Sequence, residues 1–270
     1  MNLFGQALLL LAEQLVGLFG VIALCAVVLS WLQRLAHRQY VETWGWRSLY
    51  ITAWLGTPVH ELGHYFFAKI FNHRVHKVAL FSPHSETGLL GQVTHSYETS
   101  SWYQRFGNLF VGAAPLIFGP LVIVVLLAFL APGGREALKI LGTYRGDLTT
   151  IWPIITSAMA ALWVAAHWYM WQFWVFKYAA LSIAVHSAPS RKDLHSVFSG
   201  LLVLAVTLLV VNAFAAMLGQ NINGLLQPIQ YVLSVAAIIL FLLVGLAALH
   251  VVIVWILFTP FKKIMPRYGS

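Results

Sequence analysis

The feature that most limits what this chain can fold into is a series of long apolar runs separated by short polar connections. They extend from about Ala7 to Leu32, Ser48 to Phe71, Gly107 to Ala131, Ile151 to Val185, Val197 to Leu218 and Ile229 to Phe258. A helix needs about 20 residues to cross the roughly 30 Å hydrocarbon core of a bilayer, and all six runs reach that length. The fourth is longer than one crossing requires, which fits a tilted helix or a span followed by an interfacial turn. Only 9% of the 270 residues are charged and 60% are hydrophobic, against about 25% charged in an average soluble domain. The sequence therefore predicts an all-α polytopic membrane protein of about six transmembrane helices, with residues 1–270 forming a single transmembrane domain.

One segment breaks the helical pattern. Val75–Phe81 and Leu89–His95 are short runs with β-branched residues, and the turn-rich stretch Ser82–Gly88 lies between them. This pattern predicts a small membrane-associated β-hairpin, residues 75–95, between the second and third spans.

The charges set partners and orientation. Sixteen Lys and Arg outnumber eight Asp and Glu. The basic residues lie mostly between and after the apolar runs, where they meet anionic headgroups, and no basic face with interleaved aromatics implies a nucleic-acid partner. The lone Cys25 excludes an intrachain disulfide and a cysteine-rich metal site. No Lys or Arg precedes Arg34, so the first run lacks the basic start of a cleavable signal peptide and reads as a retained span. The uncharged connection Gly219–Gly224 suits the non-cytoplasmic side, and Lys262, Lys263 and Arg267 suit the cytoplasm. Six spans then place both termini in the cytoplasm, although Arg34, Arg38 and Arg47 oppose that bias. The compact loops and the lack of a targeting segment fit a bacterial cytoplasmic membrane.

The chemistry is concentrated in Thr57-Pro58-Val59-His60-Glu61-Leu62-Gly63-His64. Residues four apart share a helix face, so His60 and His64 can both offer a ring nitrogen to one tetrahedral Zn²⁺, and Glu61 can reach a water beside it. Composition alone would produce a His-Glu-x-x-His string only about 0.01 times in a chain of this length. An acidic group within an apolar span costs about 2.5–3.5 kcal/mol on insertion scales, and a divalent cation offsets that burden. The alternative is a satisfied polar cluster between helices.

Zinc hydrolases need a third protein ligand and an open fourth position. Glu13 and Glu42 precede the motif, Glu86 and Glu98 lie near the hairpin, and Glu136 and Asp147 fall on the far side of the membrane. Asp193, after the fourth span, remains. Spans two and four end on the same side, which lets Asp193 approach His60 and His64. Its other reading is a helix N-terminal acid beside Arg191 and Lys192. His186 is the alternative ligand; His95 and His167 are weaker candidates.

A His-Glu-x-x-His motif in a membrane span, a hairpin after it and an Asp on a later span resemble the site-2 protease family of intramembrane zinc metalloproteases. The stretch Gly112-Ala113-Ala114-Pro115-Leu116 looks like the small-residue opening of that family's next core span. The similarity covers about residues 48–193, leaving the first, fifth and sixth spans as additions. It implies one Zn²⁺ per chain held by His60, His64 and Asp193, with Glu61 activating water. It also implies a membrane-anchored protein substrate cut in or near a transmembrane segment. Gln92, Val93 and His95 would position that substrate along the hairpin by strand pairing; the alternative is a structural turn that only covers the site. Here Leu194 follows Asp193 and no Asn-x-x-Pro precedes it, so the family's oxyanion-stabilising Asn has no counterpart. The short connections leave no room for an inserted PDZ-like domain, and no CBS-like domain is expected after the last span. The competing readings are a non-proteolytic metal-binding scaffold or regulator, and a metal transporter. The retained Glu61 argues against the first, and the scarcity of acids outside one cluster argues against the second.

Overall fold

The computed structural model describes residues 3–144, 148–218 and 223–261. The chain is an all-α membrane protein with one small hairpin. In order, the elements are α1 (Leu3–Trp44), α2 (Tyr50–Ile70), β1 (Arg74–Ala79), β2 (Gln92–Ser96), α3 (Trp102–Phe129), α4 (Gly134–Leu141), α5 (Ile151–Leu162), α6 (Trp171–His186), α7 (Arg191–Met217) and α8 (Asn223–Phe258). Among the described residues four helices are long and apolar enough to cross a membrane: α1, α3, α7 and α8. The second predicted span, α2, has 21 residues, but His60, Glu61, His64 and Lys69 interrupt its apolar character.

The fourth predicted run is not one helix. It divides into α5, a 3-10 turn at Ala165–Tyr169, and α6. Aromatic side chains account for the break. The rings of Trp163 and Phe173 lie 6.1 Å apart and those of Trp163 and Trp168 5.6 Å apart. Ten residues of straight helix would separate the first pair by about 15 Å. The fold-back also places the Lys177 ammonium 4.1 Å from the Trp163 ring centre and 4.5 Å from that of Phe173, a cation–π arrangement that holds the elbow closed.

Two further boundaries differ from expectation. The first helix continues well past Leu32 to Trp44, as an extension bearing Arg34, Arg38 and Glu42; Arg38 and Glu42 pair one turn apart. The short helix α4 follows the third span, where the sequence shows only a Pro-Gly-Gly stop. Of the connection expected at Gly219–Gly224, Asn223 and Gly224 open α8, while residues 219–222 and the basic tail at 262–270 lie outside the described residues.

The hairpin forms as predicted, with β1 and β2 antiparallel in the register Val75↔His95, Val78↔Val93 and Ala79↔Gln92, and with an irregularity at His76. Its connection turns at Gly88 with φ of 71°, a left-handed conformation that glycine adopts without strain.

Helices α3 and α6 pack against α2, α7 packs along α3, and α1 and α8 pack together along α6. Their shared core contains Cys25, Leu29 and Leu32 from α1, Leu240, Leu243 and Ala247 from α8, and Ala180, Ile183 and Ala184 from α6. Small residues let the helices close on α2. A Cβ at Gly56 would stand 2.6 Å from the His186 ring, and one at Gly63 would stand 2.9 Å from Phe118. This is the close-approach logic of membrane helix packing.

Candidate metal centre

His60 and His64 project from one face of α2, four residues and therefore about one turn apart. Their Nε2 atoms are 3.1 Å from each other. Asp193, in the first turn of α7, brings Oδ1 to 3.3 Å from His64 Nε2 and Oδ2 to 3.6 Å from His60 Nε2. The three side chains form a group that could hold a metal ion.

The other ring nitrogens show where each imidazole carries a proton. His60 Nδ1 lies 2.7 Å from the His186 carbonyl oxygen, and His64 Nδ1 lies 2.8 Å from the Val111 carbonyl oxygen. A carbonyl only accepts, so each Nδ1–H donates, and in the neutral ring each Nε2 keeps its lone pair. Two lone pairs and a carboxylate thus face one small volume. That convergence is repulsive unless a positive charge sits within it. A tetrahedral ion with ligand bonds of about 2.0–2.1 Å sets its ligand atoms about 3.3–3.4 Å apart, close to the observed separations. The donor set and its spacing fit a divalent cation, and the backbone partners supply the outer layer that orients metal-bound histidines.

Asp193 is also part of a helix cap. The Ser190 N–H donates to Asp193 Oδ2 at 2.7 Å, and the Asp193 N–H donates to Ser190 Oγ at 3.2 Å. The helix N-terminal reading of Asp193 is thus observed, and the capping box of α7 turns the same carboxylate toward the two histidines. The α6–α7 break makes this possible. Residues Ser182–Pro189 are buried, and the start of α7 comes to lie deep against α3. Gly112 of α3 meets that start, where a Cβ would come within 2.7 Å of Val197 N. A side chain there would push Asp193 away from the histidines.

Glu61 is buried beside the three candidate ligands, within the electrostatic reach of each, and the backbone N–H of Val93 in β2 faces its carboxylate. The hairpin lies close over it. A Cβ on Gly91 would stand 2.9 Å from Glu61 Cγ and 2.8 Å from Thr57 Cγ2, so this crossing admits only glycine without rearrangement.

The remaining predicted residues have other places. The His186 imidazole is turned away from the ion position: its Nε2 lies 3.1 Å from Thr52 Oγ1 and its ring 5.4 Å from His37. His186 serves the centre through its carbonyl instead. Gln92 pairs across the hairpin with Ala79. His95 is tied to His73, Nδ1 to Nδ1 at 3.1 Å, and His167 bonds the Leu162 carbonyl. Sequence reasoning missed Val111, the His186 carbonyl and Ser190. The pattern Ser190-x-x-Asp193 was a usable signal for the last.

No protein-family model, no curated protein and no solved structure matches this chain.

Proposed function

We propose that this chain is an intramembrane zinc metalloprotease that hydrolyses peptide bonds in or near transmembrane segments of membrane-anchored substrates. The observation that carries the reading is the convergence of His60 Nε2, His64 Nε2 and the Asp193 carboxylate beside Glu61. Zinc fits this donor set: two neutral imidazoles and one carboxylate leave a fourth position open, as in zinc hydrolases. When bound, the ion supplies a Lewis acid that acidifies water and polarises a carbonyl.

The protein's own groups do the rest. Glu61 takes a proton from the attacking water and passes it to the leaving amine. Its burial under the hairpin keeps the carboxylate away from bulk water. Cleavage also requires an extended substrate, because a helical backbone keeps its carbonyls hydrogen-bonded. The β2 backbone at Val93 stands beside Glu61 and supports a role for Gln92 and Val93 in pairing with an unwound substrate strand. His95, bonded to His73, supports that strand from within the hairpin.

The deciding experiment compares wild type with Glu61→Gln on a membrane-embedded reporter, alongside metal analysis of both proteins. The expected outcome is about one zinc per chain in each and a cleavage rate at least about 10²-fold lower in the variant, in line with loss of a general base. Equal cleavage by the two proteins would remove the assigned role of Glu61. Stoichiometric zinc without reporter cleavage by wild type would favour a metal-binding scaffold.

A further inference from the structure

We propose that Pro115 is a positioning residue of the metal centre, which fixes His64 by leaving the Val111 carbonyl without a helix partner. The inference rests on the metal-centre reading above. In an α-helix the N–H of residue i bonds the carbonyl of residue i−4. Proline has no N–H and its ring crowds that carbonyl, tilting it away from the helix axis. Pro115 lies inside α3, and its i−4 residue is Val111. The Val111 carbonyl is the group that accepts the His64 Nδ1–H at 2.8 Å. Both residues are almost fully buried, so bulk water does not compete for the bond.

The second histidine follows the same logic at a helix end. A continued α6 would direct the Ser190 N–H to the His186 carbonyl. Instead α6 stops at His186, Pro189 follows, and the Ser190 N–H goes to Asp193 Oδ2. The freed His186 carbonyl accepts the His60 Nδ1–H at 2.7 Å. Each ligand histidine is thus oriented by a carbonyl that the helix ladder has released. Pro120 supplies a control within the same helix. It releases the carbonyl of Leu116, whereas both ligand Nδ1 groups are already bound to Val111 and His186.

The test uses the full-length protein in lipid nanodiscs with Co²⁺ as the probe. Affinity is measured by chelator competition, coordination by visible absorption, and folding by thermal denaturation. Pro115→Ala restores an N–H that competes for the Val111 carbonyl. It should weaken Co²⁺ binding about ten-fold, the lower end of the range for losing such an outer partner, and shift the absorption bands. Its melting temperature should stay the same or rise, because a helix bond is gained. Pro120→Ala should bind Co²⁺ within two-fold of wild type with an unchanged spectrum. Should Pro115→Ala fail to fold, Pro115→Gly restores the same N–H with less bulk and should show the same loss. If the position-115 variant that folds matches Pro120→Ala in affinity and spectrum, the inference is overturned and the metal centre stands. If wild type binds no Co²⁺, both fail.

Discussion

Asp193 shows how much one side chain can be asked to do. Its carboxylate accepts the Ser190 N–H while facing both candidate ligand histidines, so the start of α7 and the candidate centre share two oxygen atoms. The two duties separate by substitution. Asp193→Ala removes both and should lower metal affinity at least about ten-fold, with fraying of the first turn of α7 worth about 1 kcal/mol. Asp193→Glu keeps a capping-box residue at the same position but moves the carboxylate by one methylene. It should lose metal affinity while the first-turn amides stay protected. Hydrogen exchange and metal titration on the same samples check both; equal fraying in the two variants would contradict the division of labour. At this scale the sequence was informative where identity matters. His60 and His64 were legible from spacing, and Asp193 from the scarcity of other acids. Val111 and the His186 carbonyl were not, because any residue type offers the same backbone oxygen, and only the fold decides which one is released.

Among the elements, the hairpin was legible and its coupling to pH was not. His73 Nε2–H donates to the Gln104 carbonyl at 2.9 Å, and its Nδ1 meets His95 Nδ1. Burial, followed by the neighbouring His73, lowers the His95 pKa to about 4, and burial also lowers that of His73. In the unfolded chain both rings take up a proton near pH 6.5. Between those values the unfolded state binds more protons than the folded one, so stability falls as pH falls. The hairpin should be fully stable above about pH 6.5 and lose stability progressively toward about pH 4, a trend that His95→Phe should blunt. Amide exchange of β1 and β2 across that range measures it.

A second element-scale feature is the pair Gln14–Asn212, which joins α1 to α7 by two reciprocal amide hydrogen bonds of 3.2 and 2.9 Å, both side chains buried. Asn212→Leu should destabilise the protein by about 1–2 kcal/mol, the order of an interhelical polar contact in a membrane. Gln14→Leu/Asn212→Leu should recover most of it, because no buried amide is then left unmatched. Unfolding titrations of the single and double variants provide the check. Neither residue stands out in the sequence, since each helix carries other polar residues and nothing in the pattern pairs these two. The divided fourth run was equally hidden: its break comes from rings that meet only once the chain has folded back, and no Pro or Gly lies between Trp163 and Met170 to announce it.

For the whole molecule, apolar patterning was enough to identify a helical membrane protein. It could not say which helices enclose the centre. The four around it, α2, α3, α6 and α7, include two that depart from a simple apolar rod: α2, interrupted by its His and Glu residues, and α6, stopped short at His186. The core shared by α1, α6 and α8 supports the broken segment from behind, so the helices beyond residues 48–193 are structural partners of the site. The length of α1 has its own consequence. Forty-two residues make a rod about 63 Å long, roughly twice the hydrocarbon thickness of a bilayer, more than tilting alone can hide. Its polar end, with Arg34, Arg38 and Glu42, therefore stands in water, and the joint at Gly45 has open space where a side chain would be. That joint is a natural handle: a small epitope inserted there would be seen by antibody from only one face of a sealed vesicle, and so would report which compartment the hairpin tip beside Trp46 looks into.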